Sequence, residues 1–247
     1  MTGRIIWWTA LAAAALLTAG LQLDFPTRST PELAPRVPEI LRNYAQVRMT
    51  QSALAGDNAD EALAEAKRLV ERRPLPAEYL ALLAASQIKA GQEEAAGRTI
   101  QIAGQRGWRE PATQEAVLRI ALAAGDRAEA ARRYIALFLR TQTPEALLEQ
   151  LGTPVLGGPD DAGRKAMLTV VVGAERWRAT FLRRGARVMP PDAFAEITTS
   201  SIRQGVTFDC KVLDVSLREL ARRDAAAAQG LALAASQQCP DLAAKAK

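Results

Sequence analysis

Histidine is missing from this 247-residue chain. That excludes Ser-His-Asp and Cys-His catalysis, and every metal site that needs an imidazole ligand. Cysteine is scarce. Cys210 and Cys239 stand too far apart in sequence for a CxxC motif and can meet only through the fold. Aromatic residues make up 5% of the chain, so the core must be built from small and aliphatic side chains. Alanine-rich sequence punctuated by glycine favours an all-α protein with closely packed helices. Charge of one sign is not in large excess. Against 32 Lys and Arg stand 27 Asp and Glu, a net +5, which permits an acidic partner or lipid surface without requiring one. The length suffices for one or two domains with a sizeable core.

Residues 5–23 contain no charged side chain. At about 1.5 Å per residue such a helix covers roughly 28 Å, close to a bilayer core. Arg4 precedes it, and Trp7 and Trp8 suit an interface. The positive flank should stay cytoplasmic and send the rest of the chain outward. This predicts a bacterial inner-membrane protein with a single span and a periplasmic body. Two other readings compete: a signal peptide cleaved near Thr18-Ala19-Gly20, with release into the periplasm, and a buried soluble helix. The run is long for a signal segment, which favours the anchor. Residues 24–38 then hold Pro26, Pro31, Pro35 and Pro38, a spacing that predicts an extended, semi-stiff tether.

A ladder follows. Ala62, Ala96 and Ala130 are 34 residues apart, twice in succession. The columns Leu69, Ala103, Leu137 and Ala66, Ile100, Tyr134 keep the same step. Gly56, Gly91 and Gly125 precede the alanines as turns. Apolar periodicity predicts helices over residues 39–55, 59–72, 76–90, 92–105 and from 111, with a last return helix to about residue 140.

Helix, glycine turn, helix at this period resembles the tetratricopeptide repeat (TPR), in the form of a membrane-anchored bacterial envelope protein. The match covers residues 41–141 and departs from the family at Ala45, Leu80 and Gln114, where Trp is usual. The resemblance implies an all-α, TPR-like helical-hairpin solenoid whose first helices line a partner-binding groove. Carried over, that groove would show Asn43, Gln46, Thr50, Glu78, Ile88, Lys89, Glu115 and Arg119. Solvated helix faces are the competing reading, and the mixed charge names no ligand class.

Residues 142–247 read as a helical extension of the solenoid. A short helix starts at Thr143-Pro144 and ends near Gly152, and residues 153–163 read as a loop. Residues 158–165 (GPDDAGRK) fail as a phosphate loop, because Arg164 and Lys165 replace its Lys and Ser/Thr. The Asp160-Asp161 pair fits turn capping better than acid–base chemistry. One or two helices over residues 162–184 carry core candidates Trp177 and Phe181. Around them crowd Arg164, Lys165, Arg176, Arg178, Arg183, Arg184 and Arg187. This set fits either an acidic partner or lipid surface, or a solvated arginine face over an aromatic core. A hairpin at Gly205 would use Cys210 as its small residue, before a long helix over residues 212–236. In an exported domain Cys210 and Cys239 would pair; in a reducing compartment they would stay buried thiols.

No nucleophile with a base, metal cluster or cofactor loop is visible. The expectation is a non-enzymatic periplasmic scaffold without metal or cofactor, binding protein partners of the cell envelope, with surface-polysaccharide assembly as the loosest extension. The alternative is a chaperone-like binder of exported chains near the translocon. Nucleic acid is disfavoured outside the cytoplasm. The expected segments are an anchor at 1–23, a linker at 24–38, repeats at 39–141 and the extension at 142–247.

Overall fold

The computed structural model describes residues 2–158 and 162–245. Among these it holds thirteen α-helices, five 3-10 segments and no strand, so the chain is all-α. Asp160 and Asp161 lie outside the described residues. The chain divides into two compact units, Met1–Gly107 and Trp108–Lys247.

The first unit begins with α1 (Thr2–Asp24), an apolar helix long enough to cross a membrane and exposed along nearly its whole length. The expected extended tether does not follow. The chain winds instead into 3-10 turns at Phe25–Arg28, Pro31–Arg36 and Glu39–Leu41. Proline presets the backbone φ near the value such turns need. Ala34 and Val37 bury against Ala45 of α2 (Tyr44–Ala55), with Leu41 and Met49 beside them. The sharper constraint is Asp24, only 4% exposed. Its carboxylate accepts from the backbone amides of Asn43, Tyr44 and Ala45 at 2.8–2.9 Å. It therefore caps α2 from across the segment and meets the positive end of that helix with a negative charge. This cap also corrects the helix expected over 39–55, which starts at Tyr44.

Three helices complete the unit: α3 (Ala59–Arg72), α4 (Ala77–Lys89) and α5 (Glu93–Arg106), each packed on its predecessor, or on its hairpin partner, in chain order. Ala62, Ala66, Leu69, Ala96, Ile100 and Ala103 are buried, as the ladder requires. Gly91 takes φ +72°, which lets Gln92 N donate to Gln87 O at 2.8 Å and close α4. The earlier turn differs. Gly56 stays at φ −74°, and Asn58 caps α3 by accepting from Asp60 and Glu61.

The second unit opens with the hairpin α6 (Pro111–Ala123) and α7 (Arg127–Phe138). Gly125 at φ +74° repeats the Gly91 turn, and Ala130, Tyr134 and Leu137 continue the buried columns. The next helix, α8 (Glu145–Leu156), overruns the predicted stop at Gly152 and carries Pro154 inside it. A proline there costs about 3 kcal/mol. Burial of Leu151, Val155 and Leu156, each worth roughly 1.5–3 kcal/mol, outweighs it. Thr143 does not cap this helix; Pro144 holds that place with no side-chain bond.

Residues 162–184 split into α9 (Ala162–Gly173), a 3-10 turn at Glu175–Trp177, and α10 (Arg178–Val188). Phe181 is buried, but Trp177 is only half-buried, under the Arg176 guanidinium 5.0 Å from its ring. α11 (Pro191–Arg203) precedes α12 (Cys210–Arg223) and α13 (Ala225–Ala235). The long helix expected over 212–236 is broken at Asp224. There the backbone is extended, its N–H closes α12 on Leu220 O, and its carboxylate caps α13 at Ala227 N.

Gly205 adopts φ +83°, yet no repeat-type hairpin forms around it. α11 packs on α9 and α13, whereas α12 packs on α10 and α13. Cys210 is the exposed first residue of α12, not a buried small residue. Packing on the next-but-one helix, present in the first unit for α2 on α4, recurs from α7 onward (α7 on α9, α10 on α12, α11 on α13).

A fourth column of the ladder shows its role only in three dimensions. Arg72, Arg106 and Arg140 keep the 34-residue step. Each donates to a carbonyl 30–33 residues earlier, just before the first helix of its own hairpin: Glu39 and Arg42, Pro74, and Arg109. A turn closes one end of each hairpin and a guanidinium closes the other. Arg184 is a buried version, donating to the carbonyls of Phe138, Arg140 and Thr143. Replacing Arg184 with Ala strands those acceptors and should cost about 2–4 kcal/mol in chemical denaturation. Arg106→Ala, at an exposed site, should cost at most about 1 kcal/mol. Equal losses would refute the distinction between buried and exposed closures.

Candidate functional site

Of the eight positions carried over from the repeat family as a groove, Gln46 and Thr50 are not on the surface but fully buried between α2 and α3. Gln46 Nε2 donates to the Glu65 carboxylate at 2.6 Å, and Thr50 Oγ1 to Glu65 O at 3.1 Å. Asn43 accepts from Arg73 at the head of α2. Lys89 is spent on the far end of that helix, donating to the carbonyls of Leu54 and Gly56. Glu78 and Ile88 are exposed on α4. Glu115 and Arg119 pair with each other along α6 at 2.8 Å. The polar positions read as a partner face thus serve mainly to join helices.

The arginine cluster sorts in the same way. Arg164 is buried, donating to Leu156 O at 2.8 Å and bridging to Asp192 and Glu196. Burial alone would lower its pKa; the two carboxylates outweigh that and raise it. Arg178 donates to the carbonyls of Val171 and Val172. Burial lowers the pKa of Arg184, whose charge is satisfied by the three carbonyls named above. Arg187 meets Glu145 at 2.5 Å, and this hydrogen bond holds the Glu145 carboxyl below its usual pKa despite partial burial. Lys165, Arg176 and Arg183 are exposed.

What remains is a cleft between α10 and α12. Arg183 and Arg187 line one wall, one helical turn apart. Lys211, Val212, Val215, Ser216 and Glu219 line the other. The cleft is open and encloses about 320 Å³. Val215 lies 52% exposed at its mouth. Arg187 and Glu219 are already paired, with Glu145 and Arg222. Arg183 and Lys211 form no ion pair among the described residues. Two uncompensated cations flanking an exposed apolar strip suit an acidic, partly apolar ligand.

Lys211 owes its position to the residue before it. Cys210 and Cys239 form a disulfide, with Cα atoms 5.8 Å apart, that ties the first residue of α12 to the turn after α13. Gln238 reinforces it, donating from Nε2 to Phe208 O at 2.7 Å. Sequence reasoning singled out Arg183 and Arg187 but not Lys211 or Val215. Their i,i+4 spacing was visible, but nothing in the sequence said that α12 would lie against α10.

No protein-family model, curated protein or solved structure matches the chain.

The disulfide closes a loop of 29 residues, for which the chain-entropy relation gives about 3–4 kcal/mol. Cys210→Ser with Cys239→Ser should lower stability by about that amount in denaturant melts. Denatured wild-type protein should bind no thiol reagent until reductant is added. Labelling of two thiols without reductant would contradict the pairing.

Proposed function

We propose that the chain is a non-enzymatic, membrane-anchored helical scaffold whose body faces the periplasm and binds an acidic protein partner of the cell envelope. The observation that carries this reading is the α10–α12 cleft, where Arg183 and Lys211 stand unpaired among the described residues beside exposed Val215. Elsewhere in the basic cluster most guanidinium groups are consumed by carbonyls or carboxylates, and Arg183 and Lys211 are the exposed cations that flank this cleft without an ion pair among the described residues. The anchor reading is supported by α1, exposed, apolar and long enough to cross a bilayer. The disulfide fits an oxidising compartment, in keeping with the outward orientation expected from Arg4.

Kinship with tetratricopeptide repeats is part of the proposal. It is supported by the buried 34-residue columns and by the left-handed glycines at Gly91 and Gly125. The partner surface, however, belongs to the helices after the ladder and not to the repeat groove. Isolation of the full chain from detergent-solubilised envelopes after crosslinking tests this. One stoichiometric partner should copurify, and Arg183→Glu with Lys211→Glu should weaken its binding about tenfold or more. Unchanged binding by that variant would sink the cleft assignment. A broad set of unfolded chains in place of one partner would turn the reading towards a chaperone.

A further inference from the structure

A single exposed isoleucine is ordinary on a protein surface. Ile40 is not ordinarily placed. It is 88% exposed and sits in the 3-10 turn Glu39–Leu41, which packs directly on α1. The contact point is Gly20, where an added Cβ would collide with the Leu41 side chain. Gly20 lies three residues before Leu23, the end of the uncharged run. At 1.5 Å per residue, the turn is held alongside α1 roughly 5 Å inside the end of its apolar span. Ile40, next to Leu41 in that turn, is thereby held near the same end of α1.

Phe25, 58% exposed, emerges at the same end. Its ring meets Tyr44 edge-on at 6.0 Å, and the Arg28 guanidinium lies over both rings, 5.4 and 4.8 Å from their centres. Arg28 and Arg36 are exposed here, as is Glu32. Glu39 is turned towards Arg68 and Arg72. Apolar tips level with the end of a spanning helix, with guanidinium groups beside them, match the boundary between acyl chains and headgroups. The Asp24 cap fixes α2 to this end of α1, so the arrangement cannot swing away as a flexible tether could.

We propose that residues 25–41 form an interfacial collar, with Phe25 and Ile40 inserted among bilayer lipids and Arg28 at the level of their phosphates. This rests on α1 being a membrane span. The collar makes the first unit a body seated on the bilayer, with no spacer beneath it.

The native cysteines are joined, so an introduced cysteine is the sole free thiol and can carry a fluorophore. The full chain with Ile40→Cys, Ala13→Cys or Asp57→Cys is labelled and reconstituted into phosphatidylethanolamine–phosphatidylglycerol vesicles. These contain lipids bearing a spin-label quencher either near the headgroup or deep in the acyl chain. Asp57 is exposed beyond the far end of α2, about 18 Å along that helix from its capped start. The expected result is loss of fluorescence at position 13 with the deep quencher, loss at position 40 with the shallow one, and none at 57. Quenching at 13 with none at 40 overturns the collar and leaves the anchor standing. No quenching at 13 overturns the anchor and the collar together.

Discussion

An α-helix ends with carbonyls that no amide of its own can reach, and a protein of many short helices multiplies that problem. Here much of the answer is basic side chains, arginine above all, with Lys89 serving the end of α2. Guanidinium groups from the ends of α3, α5 and α7, and from within α9 and α10, reach carbonyls at helix ends or in the loops beside them. Arg223, at the end of α12, does the same for Ala186 at 2.8 Å. The planar fork of arginine suits the task, because its several N–H groups serve two or three acceptors at once, as Arg184 does. Alanine sets how closely the helices lie; arginine sets how their ends are closed.

This division of labour explains which parts of the structure could be read in advance. The ladder was legible because small and apolar residues at a fixed period have one economical use, burial between helices, and Ala62, Ala96 and Ala130 are all buried. The pairing of Cys210 with Cys239 was legible as one of two options. Places where a tertiary contact overrides a local signal were not. Four prolines argue for an extended chain, yet Asp24 and the pocket around Ala34 and Val37 wind residues 25–41 into turns. Pro154 argues for a break, yet three buried side chains carry α8 past it. Asp224 carries no strong break signal within a run of good helix formers, and it separates α12 from α13 by capping both.

The candidate site shows the same limit from the other side. Polar residues at groove positions of a repeat cannot be told from polar residues that join two helices, since both types are hydrophilic at helical spacing. Gln46 and Thr50 turned out to be joints, bonded to Glu65. Likewise a crowd of arginines reads as a charged surface until each carbonyl partner is located. Subtracting those partners leaves a smaller and better defined feature, the cleft bearing Arg183 and Lys211.

The carboxylate of Asp24 has a mechanical consequence. It is the last residue of α1 and it holds three amides at the head of α2. Three bonds to two oxygens orient the carboxylate on those amides as well as holding it there. The carboxylate thus ties the end of α1 to the start of α2. The head of α2 therefore cannot leave the end of α1 without breaking all three bonds together.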